Sequence, residues 1–258
     1  MKKQKRDKLN QILLQWPASG LHTAGFLRAQ GISSSLLHHY AQRRWLERVE
    51  RGLYRRPGDT PGWQAALHAI QNEESLPIHA GGLTALELQG YGHYKGERPL
   101  FLYSSKHTRL PAWFKGAANR KVYFVSSNFL GNPKLDSLHS VMEEGVSLIA
   151  STPERAALEM LYHVPKQVGF IEATEVVGGL TVVRVELMQI LLESCASVKV
   201  KRLFLYCARE AGHSWFSALD QSRIRLGAGK RELVKGGKLD KEFLLTVAIK
   251  PYAMEVRF

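Results

Sequence analysis

Residues 23–56 constrain the fold most, because they predict two short helices, a sharp turn and a hairpin in that order. Thr23 can cap a first helix that runs to Gln30, since its hydroxyl can accept a first-turn backbone N–H that has no partner within the helix. Gly31 then tolerates the positive φ of a sharp turn. The serines at positions 33–35 can cap a second helix. Its apolar residues recur at helical spacing: Leu36, Leu37, Tyr40 and Ala41.

A basic hairpin follows, with its turn at residues 50–52. Apolar side chains are interleaved with arginines, which is typical of a hairpin with one packed and one charged face. A helix–turn–helix followed by such a hairpin is a winged helix, which places a helix in the major groove of DNA. The sequence therefore predicts a winged helix-turn-helix DNA-binding domain, and the helical pattern of residues 5–16 supplies its first helix.

The second helix of this motif should face the bases. Gln42 can make two hydrogen bonds to adenine and Arg43 two to guanine, whereas the arginines of the wing should contact phosphates or a minor groove. A winged helix used only for protein contacts is the less favoured alternative, because positive charge is dense within and beside the motif. The predicted DNA-binding residues are Ser33, Ser34, Ser35, His38, His39, Gln42, Arg43, Arg44, Arg48, Arg51, Tyr54, Arg55 and Arg56.

The net charge of +13 lies in two blocks. Residues 1–60 hold 12 Lys and Arg against 4 Asp and Glu, and residues 199–241 hold 11 against 4, while the residues between them hold 11 against 13. A phosphate backbone rewards clustered positive charge through the release of counterions. We expect the first block to bind double-stranded DNA. For the second block, a solvated basic face without a ligand is an equal alternative.

Residues 57–62 contain two prolines and two glycines, which predicts a linker. We expect a winged helix-turn-helix DNA-binding domain at residues 1–60 and a second domain at residues 63–258. Since the second domain mixes helices with antiparallel hairpins, the predicted fold class is α+β, a winged helix-turn-helix domain followed by a larger mixed α/β domain. Helices are predicted at residues 63–72, 83–88, 154–163, 169–177, 184–193 and 199–211, and strands at 78–80, 99–103, 121–125, 147–150, 233–234, 244–249 and 253–258.

No pattern of a catalytic, metal or cofactor site stands out. His38 and His39 are adjacent on a helix and point about 100° apart, so they cannot chelate one ion. Residues 227–231 lack the leading Gly and the Ser or Thr of a phosphate loop and are interpreted as a flexible basic loop. The carboxylates of Glu154 and Glu159 are interpreted as surface and helix-terminus charges. We expect no enzyme, no metal and no cofactor.

Two cysteines in a chain of this length favour a reducing compartment, although one disulfide between Cys195 and Cys207 stays open. The most apolar stretch, residues 180–192, contains charged residues, so the sequence predicts no membrane span and no membrane partner. We therefore expect a cytoplasmic protein.

Three motifs, in this order, resemble the AbiEi antitoxins of type IV (abortive-infection) toxin–antitoxin systems. They are Gly31-Ile32-Ser33, the wing sequence of residues 48–55, and the Ser-x-x-Glu-Arg-Ala helix start of residues 151–156, in which a hydroxyl cap precedes Pro153. The resemblance covers most of the chain. It implies a bacterial regulator whose N-terminal domain binds inverted repeats in its own promoter and represses the operon. It also implies a C-terminal domain that counters a nucleotidyltransferase toxin, without a stable antitoxin–toxin complex being required.

One winged helix per chain reaches an inverted repeat as two copies, so we expect a monomer in solution or a dimer on DNA. Arg155 matches the arginine of the family's helix start, and we interpret it as part of a structural ion pair that positions the helix. The basic block of residues 199–241 resembles the family's antitoxin domain. The candidate residues of that domain are Arg155, Lys199, Lys201, Arg202, Arg223, Arg225, Lys230 and Arg231.

Two other functions remain open at this point. One is a stand-alone winged-helix transcriptional repressor whose C-terminal domain senses a ligand or oligomerises. The other is a nucleic-acid enzyme that uses the winged helix for targeting, which would need a carboxylate or metal constellation that the sequence does not contain. A nucleotidyltransferase reading frame immediately downstream would favour the antitoxin over the stand-alone repressor.

Overall fold

The computed structural model describes residues 11–14, 16, 19–92, 97–104, 107–131 and 136–248. Its fold is α+β, with a winged helix-turn-helix at the N-terminal end and a larger mixed part after it, as predicted. The chain divides into two compact units. Of the described residues, those within 1–80, 96–126 and 140–150 form the first unit, and those within 81–95, 127–139 and 151–258 form the second. The domain boundary between residues 60 and 63 stays a prediction.

The winged helix consists of strand β1 (His22–Thr23), helices α1 (Ala24–Ala29) and α2 (Ser34–Gln42), and strands β2 (Glu47–Glu50) and β3 (Leu53–Arg55). Strand β3 lies between the other two strands and is antiparallel to both. Residues 11–14 are helical, as predicted, but Trp16, the last residue of the predicted helix 5–16, lies in a bend. The buried residues of the core are Trp16, Leu27, Ile32, Leu37, Tyr40, Leu46 and Tyr54.

The rest of the chain contains the following elements in order: α3 (Trp63–Asn72), β4 (His79–Ala80), α4 (Gly82–Leu88), β5 (Leu100–Ser104), α5 (Ala112–Ala118), β6 (Val122–Ser126), β7 (Leu138–Glu143), β8 (Val146–Ser151), α6 (Pro153–Tyr162), α7 (Phe170–Gly178), α8 (Val185–Ser194), α9 (Val198–Glu210), 3-10 turns at Ser214–Ala218 and Gln221–Arg223, β9 (Arg231–Glu232), β10 (Lys238–Asp240) and β11 (Leu245–Val247).

A mixed five-stranded sheet in the order β6-β5-β4-β8-β7 forms most of the rest of the first unit. Strand β4 is antiparallel to β5 and parallel to β8, and β5 is parallel to β6. Helix α3 is fixed to this sheet through the Gln71 amide, which donates to the carbonyl oxygens of Ile78 and Ile149 at 2.8 and 3.0 Å. The Ile149 N–H donates back to Gln71 Oε1 at 2.9 Å, so that one amide satisfies three backbone groups.

The second unit is built around α6, which packs against α4, α7, α8 and α9. Five of its apolar residues, Ala156, Ala157, Leu158, Met160 and Leu161, are fully buried. A small sheet in the order β10-β11-β9 follows α9. Near the end of α9, Arg209 donates to Asp240 at 2.6 Å and also binds Glu242, which holds the small sheet to this helix.

Helices α3 and α6 to α9 lie within one residue of their predicted bounds. The strand predicted at residues 233–234 is wrong: the short strand β9 ends at Glu232, and the chain turns away through Gly236, whose φ is +71°. Strand β11 confirms the described part of the prediction at 244–249. The predicted strand 253–258 lies outside the described residues. Strands β1, β7 and β10 and helix α5 were not predicted from the sequence.

Candidate nucleic-acid interface

The position of helix α2 is set by two helix caps and a glycine turn, all formed by residues close in sequence. Thr23 caps α1 by accepting from the Phe26 N–H at 3.1 Å, and Gly31 takes a φ of +87° in the turn between the helices. Ser33 caps α2 by accepting from the Leu36 N–H at 3.3 Å. These three residues determine where α2 begins, and each confirms the role predicted for it.

One side of α2 is buried and the other faces solvent. Leu37 and Tyr40 are at most 2 % exposed, and burial raises the pKa of Tyr40. The ring of His39 lies edge-on to Trp45 at 6.2 Å between centroids. The structure thus brings eight of the predicted DNA-binding residues to the exposed surface of this helix and its ends: Ser33, Ser34, Ser35, His38, His39, Gln42, Arg43 and Arg44.

The wing residues divide into exposed and paired groups. Arg48 and Arg51 are exposed, and Arg51 lies at the tip of the hairpin beside Gly52, whose φ is +81°. Arg55 is half-buried and donates to Glu47 at 2.8 Å across the two strands. Arg56 is also half-buried and donates to Asp59 at 3.0 Å. Part of the predicted positive charge of the wing is therefore neutralised within the fold.

Tyr54 differs from the other predicted wing residues, because its side chain belongs to the core of the winged helix and is 8 % exposed. Its neighbour Leu53 is also buried, so the hairpin does not alternate strictly between a packed and a charged face. The pairing of β2 with β3 shifts at a bulge between Arg48 and Glu50, which interrupts the regular alternation of the hairpin. The structure gives Tyr54 a packing position, and its direct contact with DNA stays a prediction.

Helix α5, which was not predicted from the sequence, packs against strand β2 of the wing. The Glu50 carboxylate lies over Gly116, where a Cβ atom would overlap it. The other end of the winged helix is held by Glu73, which binds His22 and accepts from the Thr23 N–H at 2.6 Å. Residues beyond the predicted linker thus support the winged helix within the first unit. In the sequence, the feature that indicates α5 is Pro111 before a run of small and aromatic residues.

In the second unit, the Ser-x-x-Glu-Arg-Ala element forms a buried polar cluster. Glu159 is fully buried and accepts from Ser151 at 2.7 Å, from Arg155 at 2.8 Å and from the Gly82 N–H at 3.1 Å. Arg155 also donates to Ser137 at 3.1 Å. The structural ion pair predicted for Arg155 is therefore confirmed. The interpretation of Glu159 as a surface charge is wrong, because its carboxylate is fully buried and accepts hydrogen bonds from three donors within the fold.

Glu154 lies in the first turn of α6, which confirms its interpretation as a helix-terminus charge. It is not a surface charge, since it is 3 % exposed and pairs with Arg184. Burial alone would raise the pKa of Glu154, but the hydrogen bonds from Arg184 outweigh burial and lower it. Thr152 occupies the N-cap position of α6 but makes no capping hydrogen bond, so the hydroxyl cap expected there does not form. Pro153 does stand in the first turn, as predicted.

The basic block of residues 199–241 contains both buried and exposed cations. Lys199 donates to the carbonyl oxygens of Tyr162 and Val164 at 2.7 Å. Lys201 and Arg202 are 4 % and 1 % exposed. Arg223 is exposed and pairs with Glu193 at 3.0 Å. The remaining predicted residues of the block, Arg225, Lys230 and Arg231, are exposed.

An open cleft of about 440 Å³ lies in the second unit between α7 and the end of α9. Its lining is apolar with a carboxylate rim: Phe170, Ile171, Thr174, Glu175, Gly178, Glu210 and Ala211.

Cys195 and Cys207 are buried, free thiols. Within the described ranges, no group of three or more His, Cys, Asp or Glu residues is placed to hold a metal ion. No helix in this part of the chain is long and apolar enough to cross a bilayer.

Comparisons with known proteins cover both parts of the chain. A family model described as "Transcriptional regulator, AbiEi antitoxin N-terminal domain" matches residues 5–95. A second model, described as "Transcriptional regulator, AbiEi antitoxin, Type IV TA system", matches residues 97–248. No curated protein matches the chain.

Among solved structures, the crystal structure of the RV2827C protein from Mycobacterium tuberculosis is similar, with a TM-score of 0.59 and 15% sequence identity. The match covers 88% of this chain and 85% of that chain. At this identity the likeness shows a shared fold and nothing about function.

Proposed function

The chain belongs to the AbiEi family of antitoxins, transcriptional regulators of type IV toxin–antitoxin systems, and we propose that it represses its own operon by binding inverted repeats through its winged helix. This family is one of regulators and antitoxins and not of enzymes. The site of action that we propose is the cytoplasm, where the operon is transcribed.

The exposed side of α2 is the observation that carries the proposal. It presents hydroxyls, imidazoles, an amide and a guanidinium, the groups that read base edges in a major groove. Arg48 and Arg51 stand exposed on the adjacent wing, where they can contact phosphates. We propose that Arg55 and Arg56 act through their pairs with Glu47 and Asp59, which hold the wing in shape, and not by contacting DNA themselves.

An inverted repeat requires two copies of a chain with one winged helix. We propose that two molecules bind each operator and that the protein is a monomer or a weak dimer away from DNA. A gel-shift titration with the chain's own promoter tests whether binding requires the inverted repeats. Retarded bands should appear with the promoter fragment and disappear when the inverted repeats are scrambled, and equal retardation of both fragments would exclude sequence-specific binding.

We further propose that the second unit counters a nucleotidyltransferase toxin. Co-expression of the full chain with the toxin of the same operon should restore growth. A variant with weakened operator binding, Arg43→Ala combined with Arg51→Ala, should restore growth equally well when both genes are expressed from foreign promoters. If that variant failed to rescue while remaining soluble, neutralisation would depend on DNA binding and the assignment to the second unit would be wrong.

The cleft beside α7 favours a second candidate function, a stand-alone repressor whose second unit senses a ligand. Its apolar lining and its two carboxylates are suited to a small organic cation with apolar substituents. The same two assays separate the candidates. Operator binding without any rescue from the toxin would favour the stand-alone repressor, whereas rescue favours the antitoxin.

A further inference from the structure

The most unusual charged group in the second unit is Arg202, which is 1 % exposed and lies beneath the loop of residues 225–231. Its guanidinium donates to four backbone carbonyl oxygens. The acceptors are Leu226 at 2.9 Å, Gly227 at 3.0 Å, Gly229 at 2.6 Å and Leu244 at 3.2 Å. The loop expected to be flexible is therefore fastened around a buried cation, and we call it the arginine loop.

Carbonyl oxygens satisfy the N–H donors of Arg202 but do not cancel its charge. Among the residues that the structure describes, no carboxylate pairs with Arg202 or with the neighbouring Lys201. Lys201 is 4 % exposed and has no described hydrogen-bond partner for its ammonium group. Burial lowers the pKa of Lys201, the repulsion from Arg225 lowers it further, and the Cys195 thiol acts in the opposite direction. Uncompensated positive charge thus accumulates under and beside the arginine loop.

The geometry of the peptide bond determines what the loop presents to solvent. In a trans peptide, the C=O of one residue and the N–H of the next point in opposite directions. Since the carbonyls of Leu226, Gly227 and Gly229 converge on Arg202, the following N–H groups point away from it. These donors belong to Gly227, Ala228 and Lys230, which are exposed, and none of them has a hydrogen-bond partner in the described part of the chain.

Two glycines permit this arrangement. Gly227 and Gly229 have φ angles of +64° and +75°, a region that other residues rarely adopt. Gly227 also lies against Val198, the first residue of α9, where a Cβ atom would press on the valine side chain. Because α9 has 13 residues and no acidic residue in its first turn, its N-terminal dipole adds to the positive potential at the same place.

We propose that the arginine loop is a binding site for a phosphate group, carried either by a nucleic-acid backbone or by a small phosphate compound. Because the outward N–H groups of Gly227, Ala228 and Lys230 spread away from Arg202, one or two of them donate to a given phosphate. Lys230, Arg231 and Arg225 flank the site, and Arg202 supplies charge from below. The site is separate from the winged helix, so the inference does not depend on the proposed repression.

Isothermal titration of the full chain with pyrophosphate, at fixed ionic strength in chloride buffer, tests the proposal. Pyrophosphate should bind the wild-type chain, and Lys230→Gln should weaken binding at least about threefold because it removes a flanking charge. Arg231→Gln should weaken it by a similar factor, because it removes the other flanking charge beside Lys230. The matched control is Lys238→Gln, which removes an exposed lysine of the same basic block outside the loop and should leave the affinity unchanged. Lys230 and Arg231 are both exposed, so neither substitution should disturb the fold.

A second arm identifies the source of the phosphate. The same variants are titrated with a DNA duplex that lacks the inverted repeats, at several salt concentrations. A salt dependence lowered by about one unit in Lys230→Gln supports a nucleic-acid backbone. Weakened pyrophosphate binding with unchanged duplex binding supports a small phosphate compound. The proposal is overturned if neither ligand distinguishes Lys230→Gln from the wild type, or if Lys238→Gln weakens binding as much as Lys230→Gln does.

Discussion

The Nε atom of Arg155 donates to Oε1 of Glu159 at 2.8 Å, one helical turn away, and the two side chains are 8% and 0% exposed. The same carboxylate accepts from Ser151 and from the backbone N–H of Gly82. The pair therefore joins the end of β8, the start of α4 and the first turns of α6. It explains the Ser-x-x-Glu-Arg-Ala motif as a structural requirement of the second unit.

Replacing Arg155 by Met should lower the free energy of unfolding by about 3–5 kcal/mol, because it leaves the carboxylate of Glu159 buried without its cation. Urea unfolding followed by circular dichroism measures this. The control is Arg223→Met, which breaks the more exposed pair with Glu193 and should cost less than about 1 kcal/mol. Similar losses in the two variants would contradict a structural role for the motif.

A second prediction concerns two glycines with different surroundings. A Cβ on Gly237 would overlap the backbone carbonyl oxygen of Val247 in β11, and backbone cannot move aside as a side chain can. Gly237→Ala should therefore destabilise the chain by about 1–3 kcal/mol. In contrast, Gly25 lies in α1 with no atom closer than 3.7 Å to a new Cβ, so Gly25→Ala should stabilise by about 0.5 kcal/mol. Thermal unfolding of both variants should give shifts of opposite sign, and a Gly237→Ala chain at least as stable as the wild type would refute the packing described for Gly237.

The sequence predicted those elements whose signals are local. The caps at Thr23 and Ser33, the turn at Gly31 and the start of α6 at Pro153 each depend on residues that are close in sequence. For that reason α1, α2 and the long helices of the second unit were placed correctly. The family resemblance also rested on such local motifs, and the family models confirm it.

The parts that were missed depend on contacts between distant residues. Strand β1 has two residues and forms only because β3 lies beside it, and α5 packs on a wing more than sixty residues earlier in the chain. The burial of Glu154 and Glu159 could not be predicted either, because their partners Arg184 and Gly82 come from separate elements. Similarly, the spacing of basic residues gave no sign that Arg202 lies under its own loop.

A third prediction follows from His163, which is 6 % exposed. Burial lowers its pKa most, Lys199 lowers it further, and the hydrogen bond with Gln167 and the charge of Glu159 act in the opposite direction. Since the folded pKa is below the unfolded one, the unfolded chain binds more protons in the interval between them. Stability should therefore fall as the pH drops below about 6.5 towards the folded pKa.

The comparison that checks this is the change in unfolding free energy between about pH 7.5 and pH 5.5, measured for the wild type and for His163→Gln. The variant should lose less stability over this range, because it has no imidazole at position 163 that is protonated more readily in the unfolded chain than in the folded one. Both chains are measured at both pH values, so a difference in baseline stability does not affect the result. An equal loss in the two chains would contradict the burial effect at His163.

The most direct test of DNA recognition by α2 compares Arg43→Ala with Arg51→Ala on the chain's own operator. Arg43→Ala should relax base preference at one operator position, with a discrimination loss of about 1–3 kcal/mol, because we propose that its guanidinium contacts a base edge. Arg51→Ala should weaken all sequences alike and lower the salt dependence by about one unit. Binding titrations against single-base operator variants at several salt concentrations measure both quantities. If both variants bound every operator sequence as the wild type does, the proposal that α2 and the wing recognise the operator would be contradicted.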